Sequence, residues 1–107
     1  SSLYADGILL AAQTGDAVRA VHAGRVAYAD WLRGFGMLLV IEHEDDMMTL
    51  YGHNQSLLVE VGEWVEAGDP VALAGSLGSG ESDGVYFALR RQGQPLDPIQ
   101  WLAPARG

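Results

Sequence analysis

The chain has 107 residues, enough for one compact domain around one hydrophobic core and too few for two ordinary domains. Hydrophobic residues make up 49% and charged residues 19%, which excludes a disordered chain, and 14 acidic residues against six arginines leave a formal charge of −8, which opposes docking onto nucleic acid or another polyanion. Cysteine and lysine are absent and no apolar run approaches the roughly 20 residues of a membrane span, so disulfides, thiolate chemistry and cysteine zinc sites are excluded and no direct membrane insertion is expected.

Short apolar, β-branched or aromatic runs alternate with glycine-bearing turns, the pattern of an all-β domain. After the turn "TGD" 14–16 the first predicted strand covers 17–22, and "AG" 23–24 separates it from a second over 24–30. "RGFG" 33–36 turns the chain into a strand over 36–43, and "HEDD" 43–46 turns it again into 47–53. A short strand is predicted over 57–60, then the turns "VGE" 61–63 and "AGDP" 67–70 lead to a strand over 70–75. The glycine-rich loop "GSLGSGESDG" 75–84 precedes a last strand over 84–91, the turn "RQGQP" 91–95 follows, and "DPIQWL" 97–102 closes in a short helical turn.

"GDAVRAVHAGRVAYA" 15–29 and "GEWVEAGDPVALAG" 62–75 echo each other: a glycine three residues before a valine, an alanine, a turn glycine, then a second Val/Ala-rich strand. Two half-barrels of similar design produce this pattern, and so does any glycine-turned β protein. Biotinyl and lipoyl carrier domains use similar strands, but they need a lysine at a hairpin tip, and this chain has none.

The stretches "DGILLAAQTGDAVRAVHAGRVAYA" 6–29, "GFGMLLVIEH" 34–43, "MTLYGHNQ" 48–55, "VEVGEWVEAGDPVALAGSLGSG" 59–80 and "VYFALRRQGQPLDPIQWL" 85–102 stand in a specific order and spacing. Together they resemble the LytM, or lysostaphin-like, family of zinc peptidases that cut peptidoglycan cross-bridges. The resemblance implies a duplicated hybrid motif, a barrel-sandwich hybrid with antiparallel sheets around an active-site groove, filling 1–107 as a single domain. In active members the His and Asp of H-x-G-x-D and the second His of H-L-H hold zinc. The first His of H-L-H and the His of Y-x-H act on the attacking water.

Carried over residue by residue, the resemblance gives a consistent loss. Ala5 and Leu9 stand at the first two ligand positions, Gly84 and Tyr86 at the two histidines of the last motif, and only His53 is retained. Three replaced ligands leave no tetrahedral zinc site, and the candidate repairs, Asp6 and Asp83, lie on the other strand face and in the glycine-rich loop. No cofactor is expected. His22 reads as a surface residue, His43 as a structural histidine at a strand end, and His53 as a polar groove residue.

Degenerate members of this family resemble murein hydrolase activators of the EnvC and NlpD type. That branch implies a non-catalytic partner of periplasmic zinc-dependent N-acetylmuramoyl-L-alanine amidases at the division septum, with an upstream coiled coil outside these residues that docks to the FtsE–FtsX complex. On a strand over 84–90, Val85, Phe87 and Leu89 face the core while Gly84, Tyr86, Ala88 and Arg90 line the old cleft. The expected amidase-binding groove is Leu9, Phe35, Leu38, Tyr51, His53, Tyr86 and Arg90, with the three aromatics as anchors for an amphipathic regulatory helix and Arg90 as its orienting cation. Two other readings are an active or metal-repaired zinc endopeptidase and a passive peptidoglycan-binding module.

Overall fold

The computed structural model describes residues 7–76 and 83–98. Nine strands follow in chain order: β1 Gly7–Ala11, β2 Ala17–Arg19, β3 Gly24–Leu32, β4 Gly36–Glu42, β5 Met47–Leu57, β6 Trp64–Val65, β7 Pro70–Ser76, β8 Asp83–Arg91 and β9 Gln94–Leu96. They form one curled sheet in the order β1-β8-β7-β5-β4-β3-β6, with β2 on β7 and β9 on β8. Every pairing is antiparallel. The described residues form an all-β half-barrel, the architecture that the resemblance implies.

The two echoing segments pair with each other crosswise. β2 from the first lies on β7 from the second, with Val18 opposite Ala72, and β3 from the first lies on β6 from the second, with Gly24 opposite Val65. Reciprocal backbone bonds tie the turns together: Ala20 N–H donates to Asp69 O at 3.0 Å and Gly68 N–H to Ala20 O at 2.8 Å. Similar sequence in both halves therefore gives similar hydrogen-bonding edges, which close the sheet on itself.

β5 is the longest strand because it serves several neighbours. Residues 47–52 pair with β8, from Met47 opposite Arg91 to Gly52 opposite Tyr86, and Asn54–Leu57 pair with β7. The change of partner falls at His53, whose φ of 62° lies in the left-handed region that non-glycine residues seldom occupy.

The main core gathers Val26, Leu39, Ile41, Tyr51, Val71, Val85 and Phe87. On the other face of β8 a second cluster contains Phe35, Leu38, Leu50, Tyr86 and Ala88. This explains why β8 is buried at both odd and even positions while its sequence still carries the period-2 signal.

Three strands escape the sequence reading. β1 has no alternation and its partner comes from the far end of the chain; β6 is two residues long; β9 carries Pro95, which weakens any strand signal. The predicted strand 57–60 is the end of β5 followed by a turn, in which Glu63 N–H donates to Glu60 O at 3.1 Å. The strand predicted over 17–22 stops at Arg19, because Ala20 already bonds across to the turn before β7. The helical turn predicted over 97–102 lies largely outside the described residues.

Candidate functional site

Register decides which residues share the face of Tyr86. In antiparallel pairs opposite residues point the same way, so Leu9 from β1 and Gly52 from β5 flank Tyr86, Gly7 and Leu50 flank Ala88, and Met48 flanks Arg90. Gly84, opposite Ala11, begins the same row. Ala5, at the first ligand position, lies outside the described residues.

Tyr86 is fully buried. Its ring meets that of Phe35 at 5.4 Å between centroids with the planes inclined by 60°, a tilted aromatic contact. A methyl group at Gly7 would fall 2.5–2.6 Å from the phenol end of Tyr86, and one at Gly52 would fall 3.3 Å from its ring. Two glycines on separate strands thus leave the space that the phenol fills. Phe35, Leu38, Leu50 and Ala88 complete the packing around it.

The aromatic groove of the sequence reading is therefore closed at its centre. Phe35, Leu38 and Tyr86 are buried floor and are not accessible anchors. Tyr51 is not in the groove at all. Even-numbered residues of β5 share the Tyr86 face, so Tyr51 points into the main core, edge-on to Phe87 at 5.5 Å. Its hydroxyl accepts from Val21 N–H at 3.2 Å and lies 2.8 Å from Thr49 Oγ1. Placing Tyr51 and His53 together on the cleft treated β5 as regular through residue 53, whereas the left-handed turn of the backbone there breaks the alternation.

His53 is half-buried, and its backbone N–H donates to Phe35 O at 2.6 Å. Burial pushes its imidazole pKa below the ordinary value. The side chain borders a shallow recess of about 380 Å³, shared with Trp31, Met37 and Asn54. Trp31 is 60% exposed at the tip of the β3–β4 hairpin and Leu9 is 55% exposed on β1, so large apolar side chains remain at the surface near the closed floor. The sequence reading missed Trp31, although a tryptophan beside the hairpin turn "RGFG" is a usable signal. Arg90 is half-buried, with Nε enclosed and without a hydrogen-bond partner among the described residues.

The residues here do not fit zinc. Leu9 is a hydrocarbon, the Tyr86 phenol is buried against Gly7, and among the described residues no three His, Cys, Asp or Glu side chains gather as a metal site requires. Asp83, a candidate replacement ligand, instead accepts from Thr14 N–H at 3.3 Å.

A curled antiparallel half-barrel with this strand order has the lysostaphin-like architecture, and the chain belongs to peptidase family M23, whose sequence pattern matches residues 4–98. It is 49% identical over 96 residues to the murein hydrolase activator EnvC of Escherichia coli (strain K12), a match that covers 90% of this chain and 23% of EnvC. It is 43% identical over 97 residues to the lipoprotein NlpD/LppB homolog of Pseudomonas aeruginosa, covering 90% of this chain and 32% of that protein. The chain thus spans a minor part of the length of these relatives. Among solved structures, the catalytic domain of the prophage-encoded M23 protein EnpA from Enterococcus faecalis superposes with a TM-score of 0.80 at 29% identity, covering 92% of this chain and 78% of that one. The catalytic domain of lysostaphin from Staphylococcus simulans shares the fold, with a TM-score of 0.81 at 24% identity over 90% of this chain and 77% of that one.

Proposed function

We propose that this domain is a non-catalytic activator of periplasmic zinc-dependent N-acetylmuramoyl-L-alanine amidases, acting in daughter-cell separation at the septum. It captures a regulatory helix of an autoinhibited amidase over the filled site and so frees the enzyme's own zinc centre. The observation that carries this reading is the burial of Tyr86 against Gly7, Gly52 and Phe35: a pocket packed shut has no room for a metal, a water nucleophile and a scissile bond. The similarity to activators of murein hydrolases supports the same direction. In the longer protein, a region outside this chain would make the contact with FtsE–FtsX.

The closed floor alters which residues meet the helix. Leu9, Trp31 and His53 form the accessible rim, with Arg90 further along the row as the cation for an acidic side chain. Capture requires only that the domain bind the open amidase better than the closed one. A difference of about 3 kcal/mol shifts that equilibrium by roughly two decades.

The test is dye release from labelled sacculi by an autoinhibited amidase, with and without this domain, for wild type and for Leu9→Ala, Trp31→Ala and Arg90→Ala. Stimulation by wild type that falls several-fold in the variants is expected. No stimulation by wild type sinks the activator reading, and equal stimulation by all variants sinks the placement of the rim. Stoichiometric zinc with release of muropeptides by the domain alone would establish an endopeptidase instead.

A further inference from the structure

A cavity of about 640 Å³ lies at the Arg91 end of β8 and is bordered by His22, Arg25, Glu42, His43, Trp64 and Arg91. Its cations are already engaged within the fold. Arg25 donates to Gly62 O at 2.9 Å and sits over the Trp64 ring at 5.9 Å, and Arg91 Nη2 lies 3.2 Å from Met47 Sδ. What remains unexplained is the hydrogen-bond chain beside it.

His43 Nδ1 lies 2.7 Å from Ala23 O. A carbonyl only accepts, so Nδ1 carries a proton. Nε2 lies 2.8 Å from Thr49 Oγ1, which lies 2.8 Å from the Tyr51 hydroxyl, and that oxygen accepts from Val21 N–H at 3.2 Å. The Val21 donor fixes the direction of the whole chain. Tyr51 gives its proton to Thr49, Thr49 gives its proton to His43 Nε2, and every group is satisfied only while Nε2 is bare. A proton on Nε2 leaves the chain one acceptor short: His43 then donates to Thr49, and the surplus proton is the hydroxyl proton of Thr49 or, with the chain reversed, that of Tyr51 beside Val21 N–H.

We propose that His43, Thr49 and Tyr51 form a hydrogen-bond latch that fastens the Val21 side of the β2–β3 turn while His43 is neutral and loosens it when Nε2 takes a proton. Val21 N–H and Ala23 O both belong to that turn, and because Nδ1 carries a proton in either state the bond to Ala23 O persists through the titration. The device stands apart from the Tyr86 face.

The surroundings agree. His22 faces His43 edge-on at 6.0 Å, and together with Arg25 from β3 and Arg91 from β8 it opposes a charged ring. Glu42, Glu44 and Asp45 favour one, but both ring nitrogens are already taken. Burial is the largest influence and holds the His43 pKa below the ordinary histidine value.

Nuclear magnetic resonance of the wild-type domain tests the latch. Long-range imidazole correlations at neutral pH are expected to show the Nδ1–H tautomer for His43. On acidification the Val21 amide is expected to lose hydrogen-exchange protection with the midpoint of His43, while the Ala74 amide, bonded to Asp16 O at 2.8 Å, keeps its own. In Tyr51→Phe the Val21 amide loses its side-chain acceptor, and its exchange protection should already be lost at neutral pH. An Nε2–H tautomer, protection at Val21 that survives the titration, loss of protection at Val21 and Ala74 together, or Val21 protection retained in the variant each overturns the proposal. Should Tyr51→Phe not fold, the wild-type readouts decide alone.

Discussion

Tyr86 and Gly7 act as a pair although they lie at opposite ends of the chain. Removing the ring by Tyr86→Ala leaves a cavity in a closed cluster, and should cost about 3–5 kcal/mol in urea unfolding. Gly7→Ala puts a methyl group against the phenol, and should cost about 1–3 kcal/mol through overpacking. Because the second loss depends on the first ring, Gly7→Ala should be far milder in a Tyr86→Ala background, and the double-mutant cycle measures this coupling directly. Tyr86→His is expected to bind no stoichiometric zinc by metal analysis, since it restores one donor beside Leu9. His43 and His53 both have imidazoles held neutral by burial. With folded-state pKa values depressed, their contribution to stability is fully present above about pH 6.5 and is lost as pH falls. Urea midpoints should decline from neutral pH towards pH 5, with a smaller decline in His43→Gln.

Hairpins show where local chemistry and tertiary demand part. In the β4–β5 turn Asp45 and Asp46 have φ of 62° and 57°, a left-handed pair suited to a two-residue hairpin, with Met47 N–H donating to Glu44 O at 3.3 Å. Asp46→Gly removes the Cβ penalty there and should raise stability by roughly 0.5–1 kcal/mol. At the β3–β4 tip the side chain of Trp31 is exposed, so Trp31→Ala should change stability by less than about 0.5 kcal/mol while reducing amidase stimulation. The strands over 24–30, 36–43, 47–53, 70–75 and 84–91 were legible because alternation and glycine turns are local properties of the chain. β6 was not, since two residues cannot display a period, and β1 owes its strand state to β8 rather than to its own pattern.

Across the whole molecule, the charge of −8 sets the expectation for long-range encounters. Peptidoglycan is itself polyanionic, so the isolated domain should not co-sediment with purified sacculi at low salt, a measurement that separates an activator from a passive wall-binding module. By itself the sequence determined the all-β class and the absence of lysine and cysteine chemistry, because residue identity, spacing and turn chemistry suffice for these. Only the tertiary structure decided what Tyr86 does. Whether a side chain on a strand lines a groove or closes it depends on the strands beside it and on their register, and the glycines that admit this ring, Gly7 and Gly52, are brought to it by β1 and β5 from distant parts of the chain. The same dependence sent Tyr51 to the core, because the β5–β8 register sets it opposite Phe87 and leaves Gly52 opposite Tyr86.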